Sequence, residues 1–264
     1  MFKVINITNI DDVLTDIGEV VLRKYKKKKE NSLMTSLNQC ITEGTIDVKM
    51  LSKAWFPLIE DAKVFLSHSS ADKDIVYKLS YYLEEVCKIK TFVDSMVWGY
   101  SDQLLKEVDN KYCYNLDTRT YSYERRNIST SNIHLILNNS LIRMIDTCEL
   151  ILFINTENSI NITEKIDDKL STRSPWIFTE LEACRMLRIT IPSHWRNRIK
   201  KANEGVRDVF FSKEDENKLN FKYDIDLENF PKIGYQSFIN ILTKGHSLDF
   251  LGDNLLVYIY TKIK

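Results

Sequence analysis

Within about 30 residues this chain runs through a strand, an amphipathic helix and a second strand, and that succession leaves few folds open. Residues 63–69, K-V-F-L-S-H-S, form a short apolar run with a β-branched and an aromatic residue, suited to a buried parallel strand. From 72 to 87, Ile75, Leu79, Tyr82, Leu83 and Val86 share one helical face. Residues 89–95, I-K-T-F-V-D-S, are the next strand. Such a unit crosses over right-handedly and needs cover on both faces of its sheet, which predicts an α/β domain.

The remaining pattern extends this unit. Residues 150–154, L-I-L-F-I, predict a third strand, 189–192 a fourth and 221–225 a fifth short element. Residues 97–103, V-W-G-Y-S-D-Q, read as a loop containing a glycine, and 104–112 as a helix start. The polar stretch 115–131 reads as a long inserted loop before a helix over 133–146. Ser174 is a good N-cap and Pro175 suits the first helical position, with Ile177, Leu181 and Cys184 as the inward stripe. Helices are expected again over 235–243 and 254–264. Residues 1–60 read as a helical extension outside a main domain at 61–264. Its first helix covers 10–25, with Val13, Ile17, Val20, Val21 and Tyr25 on one face, and weaker helices follow over 32–40 and 48–59.

Bulk properties narrow the function. Lys+Arg and Asp+Glu each number 37 in 264 residues, so charge gives no reason to expect nucleic acid or an acidic membrane as partner. The one basic run, residues 23–29, reads as a solvated helix end. Five cysteines, odd in number and widely spaced, argue against a disulfide framework or a zinc site. Neither a signal pattern nor an apolar run of about 20 residues is present, so a cytoplasmic protein is expected.

Ligands of open parallel sheets bind outside the carboxyl ends of the strands. There the first motif ends in Ser67, His68, Ser69 and Ser70, the second in Asp94 and Ser95, and the third in Asn155 and Thr156. The helix from Ser174 brings Trp176 and Glu180 to the same side. Each residue also has a plain structural reading. The serines suit a capping turn, Asp94 a loop cap, Trp176 the core, and Glu180 a solvated helix face. Neither G-x-G-x-x-G nor a Walker loop occurs, nor G-x-S-x-G or H-E-x-x-H. A phosphoacceptor receiver is excluded too, since Ser-His-Ser stands where an acidic pair is needed.

These motifs together resemble the bacterial type of Toll/interleukin-1 receptor (TIR) domain. K-V-F-L-S-H-S-S-A-D-K-D is similar to the family's first motif, I-K-T-F-V-D-S to its second strand, and V-W-G-Y-S-D-Q sits where its BB loop sits. S-P-W-I-F-T-E-L resembles the Ser-x-Trp-x-x-x-Glu-Leu helix of members that cleave NAD. The resemblance covers roughly residues 61–188. It implies a flavodoxin-like sheet of five parallel strands with helices on both faces. It also implies that Glu180 is essential for breaking the nicotinamide–ribose bond, with no metal and no cofactor beyond NAD as substrate.

On that resemblance Ser67, His68, Ser69 and Asp94 would line the pocket, and Trp98, Tyr100 and Trp176 would stack on the bases. Self-association through TIR domains is expected. So is a role resembling the signal-producing enzymes of Thoeris-type antiphage defence, set off by a phage-derived trigger. Two other readings stand beside it: a non-enzymatic TIR scaffold docking through the BB loop, and a nucleoside deoxyribosyltransferase-like enzyme on a similar sheet.

Overall fold

Runs of β-branched and aromatic residues without polar alternation need cover on both faces, and such runs stand at the centre of a parallel sheet of five strands. The computed structural model describes residues 1–11, 13–30, 37–42, 45–162, 170–196 and 223–263. Its main strands are β1 (Lys3–Thr8), β2 (Val64–Ser67), β3 (Thr91–Val93), β4 (Leu150–Ile154) and β5 (Lys232–Gly234). They lie in the order β5-β1-β4-β2-β3, all parallel. The helices are α1 (Glu19–Glu30), α2 (Val48–Trp55), α3 (Lys73–Tyr81), α4 (Ser95–Val108), α5 (Tyr123–Thr147), α6 (Pro175–Met186), α7 (Ser193–Arg196), α8 (Tyr235–Ser247) and α9 (Asp253–Lys262).

Register rows decide which face each side chain takes. Ile5, Leu152, Leu66 and Val93 pair across the sheet in one row and enter the core beneath α1, α3, α8 and α9. The adjacent row, Val4, Ile151, Phe65 and Phe92, enters the opposite core beneath α2, α4, α5 and α6. The expected flavodoxin-like α/β architecture is therefore present, with helices on both faces. No helix among the described residues is long and apolar enough to cross a membrane. All five cysteines are buried free thiols.

Several expectations are corrected. Residues 1–60 are not a helical extension: β1 lies inside the sheet between β4 and β5, and α1 and α2 cover opposite faces. The first helix starts at Glu19 rather than near 10, and its inward residues are Leu22 and Tyr25, while Val20 and Val21 are exposed. Tyr25 is held by a polar chain: its hydroxyl pairs with Ser80 Oγ at 2.7 Å, which pairs with Thr91 Oγ1 at 2.6 Å. Of the weaker helices, the one expected over 48–59 is α2 and stops at Trp55, and 32–40 is described only from Leu37, as a single tight turn to Cys40.

Residues 97–103 belong to α4, not to a loop. Asp94 caps the first turn by accepting from Ser95 N at 2.5 Å, and one interior glycine costs a helix only about 1 kcal/mol. The inserted loop at 115–131 shrinks to a hairpin turn between Tyr114–Asn115 and Thr120–Tyr121, because Ser122 caps a helix that runs on to Thr147. The expected fourth strand at 189–192 is no strand, and its position is taken by β1. Of the fifth, Tyr223–Asp224 pairs antiparallel with Leu170–Thr172 outside the main sheet, and 221–222 lie outside the described residues.

The register of α1 is testable. Leu22→Ala removes a buried side chain and should cost about 2–5 kcal/mol of unfolding free energy. Val20→Ala, on a residue 64% exposed, should stay within about 0.5 kcal/mol. Urea denaturation of both variants checks the pair, and the reverse ranking would contradict this register.

Candidate functional site

In flavodoxin-like sheets the ligand crevice opens where successive strands depart to opposite sides, outside the carboxyl ends. Here that point lies between β2 and β4. Ser67 is the last residue of β2, His68 follows it, and Asp94 follows β3. Glu180 reaches the same place from the second turn of α6. That helix is fixed by Ser174, which accepts from Ile177 N at 3.3 Å, and by Ile177, Leu181, Ala183 and Cys184 in the core.

The four side chains form one buried cluster, with exposures of 0% for Ser67, 4% for His68, 1% for Asp94 and 1% for Glu180. Ser67 Oγ donates to Glu180 Oε2 at 2.6 Å. His68 Nδ1 lies 2.6 Å from Asp94 Oδ1 and 3.2 Å from the Leu66 carbonyl. The His68 amide donates to Asp94 Oδ2 at 3.4 Å, and Ser95 N to Oδ1.

Burial lifts the Glu180 carboxyl well above the ordinary carboxylate range. The neighbouring Asp94 charge and a hydrogen bond shared with Asp94 lift it further, and the Ser67 hydroxyl opposes them. His68 is raised as well: burial works against its cation, but Asp94, the Leu66 carbonyl and more distant Asp72 outweigh it. The cluster thus retains protons that solvated side chains would release. Glu180 charge in turn adds to burial in pushing up the Cys184 thiol.

A tie spans the crevice beside this cluster. Asp72, just before α3, accepts from Thr156 Oγ1 at 2.6 Å and from Asn158 Nδ2 at 2.7 Å in the loop after β4. Asn155, the residue between β4 and Thr156, instead donates to Asn6 of β1 at 3.0 Å.

Of the residues singled out in the sequence, the structure brings Ser67, His68, Asp94 and Glu180 together. Ser69 does not join them; it caps the next turn, accepting from Ala71 N at 3.4 Å. Trp176 packs edge-on against His134 of α5, with ring centroids 5.4 Å apart, and leans on the core beneath α5. The Trp98 and Tyr100 side chains lie outside what the structure describes. Asp72 was missed as a site residue because an aspartate ahead of a helix reads as a cap; its side chain makes no cap bond.

For metals, one group among the described residues has ligand-like spacing: Glu149, His194 and Asp253, with candidate ligand atoms within 4.8 Å of one another. It sits at the amino ends of the strands, away from the cluster. Lys63 Nζ already pairs with both carboxylates, 2.6 Å from Glu149 Oε1 and 3.8 Å from Asp253 Oδ1. No family model, curated protein or solved structure matches the chain.

The raised Glu180 has a consequence for stability. Its contribution is full below the unfolded value of about 4.5. Above it the unfolded chain releases a proton that the fold keeps, and stability falls by about 1.4 kcal/mol per pH unit until the raised value is passed. Glu180→Gln imitates the protonated carboxyl without this loss. The variant should match the parent near pH 4 and exceed it by about 1 kcal/mol or more at pH 8. Denaturation at a series of pH values checks this, and a difference that shrinks with rising pH would refute it.

Proposed function

We propose that the chain cleaves the nicotinamide–ribose bond of NAD, with Glu180 as the charge-stabilising residue. The supporting observation is the Glu180 carboxyl, fully buried at the carboxyl end of β2, hydrogen-bonded to Ser67 and set beside Asp94. A solvated helix glutamate has no such surroundings. A carboxylate held out of water is worth far more to a developing cation than one in solvent.

Nicotinamide departs as a neutral base, so the leaving group needs no proton. The ribose left behind has oxocarbenium character, as in glycoside cleavage. Burial and Asp94 favour the protonated Glu180, and a cationic nicotinamide riboside beside it favours the ionised form. Substrate arrival therefore charges the group where the positive charge develops. Ser67 holds one carboxyl oxygen in place. Because the cluster is nearly closed to solvent, entry of a dinucleotide requires the Asp72–Thr156–Asn158 tie to part.

Base stacking by Trp98 and Tyr100, self-association and signalling in antiphage defence belong to this proposal through the TIR resemblance. The scaffold alternative leans on an exposed loop over 97–103, and that segment is helical in α4.

Incubating purified protein with NAD and resolving products by chromatography and mass tests the reading. Nicotinamide release should fall by about 100-fold or more in Glu180→Ala and Glu180→Gln. The product mass separates hydrolysis from cyclisation or transfer. Equal turnover by parent and variants, or preference for free nucleosides over NAD, would overturn it.

A further inference from the structure

Two buried polar atoms of the cluster lack a hydrogen-bond partner among the described residues: Ser95 Oγ and His68 Nε2. Buried polar atoms ordinarily find partners, so two without one at the carboxyl ends of the strands mark where other atoms dock. His68 is the informative one. Its Nδ1 faces two acceptors, the Asp94 carboxyl at 2.6 Å and the Leu66 carbonyl at 3.2 Å. A nitrogen between two acceptors must carry the hydrogen, which leaves the lone pair of the neutral ring on Nε2. A buried aspartate that fixes a histidine's tautomer and frees its far nitrogen is the arrangement of a proton acceptor.

We propose that His68 Nε2 takes the proton from the nucleophile that captures the ribosyl group, an inference that rests on the NAD-cleaving reading above. The C1′–N bond breaks and its electron pair leaves with neutral nicotinamide. An oxygen lone pair of water forms the new C1′–O bond, and the water proton passes to Nε2. The resulting imidazolium is held by Asp94 and later returns the proton to solvent. The products are ADP-ribose, nicotinamide and one proton. Where a hydroxyl of the substrate replaces water, the same transfer gives a cyclised product.

Neutral His68 is required, so capture by water strengthens as pH rises through the histidine's raised value. The charged and titratable groups facing it are Asp94 after β3, Asp72 ahead of α3 and Glu180 of α6, the last acting through Asp94.

Pyridine offers a direct test on the full chain. Its ring nitrogen attacks with a lone pair and has no proton to surrender, whereas water must lose one. With NAD and pyridine together, the ratio of ADP-ribose to pyridine-exchanged dinucleotide reports the proton acceptor alone. In the parent this ratio should climb above the ordinary histidine value of about 6.5. In His68→Gln it should drop by about 100-fold and lose its pH dependence. A structural role for His68 would lower both products together and leave the ratio unchanged, which overturns the proposal. If His68→Gln does not fold, the parent's profile still decides, since a flat ratio is fatal. Neither product at any pH would sink the NAD-cleaving reading itself, and this inference with it. Cleavage with an unchanging ratio sinks only the role of His68.

Discussion

Pairing of β1 with β4 is the constraint on which the sheet depends. Lys3 through Ile7 align with Leu150 through Ile154, and β1 in turn supplies the whole edge on which β5 pairs. Remove β1 and β5 has no neighbour, α8 loses its footing, and β4 becomes an exposed edge. The three strands β3-β2-β4 already stand in the order 2-1-3 that begins a flavodoxin-like sheet. The fourth place, which such sheets fill with the strand next in sequence, is filled here from the amino-terminal segment.

The cluster at the carboxyl ends exists because that frame is rigid. Two carboxyls and an imidazole are costly to bury, and each is held by groups the frame positions: the Ser67 hydroxyl, the Leu66 carbonyl, and the amides of His68 and Ser95. The helix face carrying Glu180 is anchored two ways, by Ser174 at its start and by Ile177, Leu181 and Cys184 along its side. Burial and Asp94 together hold the Glu180 carboxyl well above the ordinary carboxylate range, and shifted groups of this kind cluster at functional sites, though structural networks produce them too.

Much of this was legible in the sequence, and what was missed has physical causes. The β2, β3 and β4 runs are continuous and apolar, and they announced buried parallel strands. The Ser174-Pro175 start set the register of α6 and its stripe of Ile177, Leu181 and Cys184, while Glu180, which the residues alone read as solvated, is buried beside that stripe. β1 escaped because Asn6 and Thr8 interrupt its apolar residues; both are buried, with Asn6 satisfied by Asn155, a contact 149 residues away. β5 is three residues with a lysine and a glycine, too little for a pattern. The polar residues of 115–131 hid a helix because its first turns face solvent, and Gly99 suggested a loop where the backbone is helical. Trp176, one turn before Glu180, was expected at the site but found a partner in His134 of the neighbouring helix. A sequence window does not contain that neighbour.

The central position of β1 also sets an order of events during synthesis. A ribosome releases this strand before either of its partners, for one neighbour follows about 150 residues later and the other about 230. Until then β1 is a bare template for intermolecular pairing, and its interior asparagine makes that template less adhesive than an all-aliphatic strand. Sheet closure is accordingly a late, non-local step in folding.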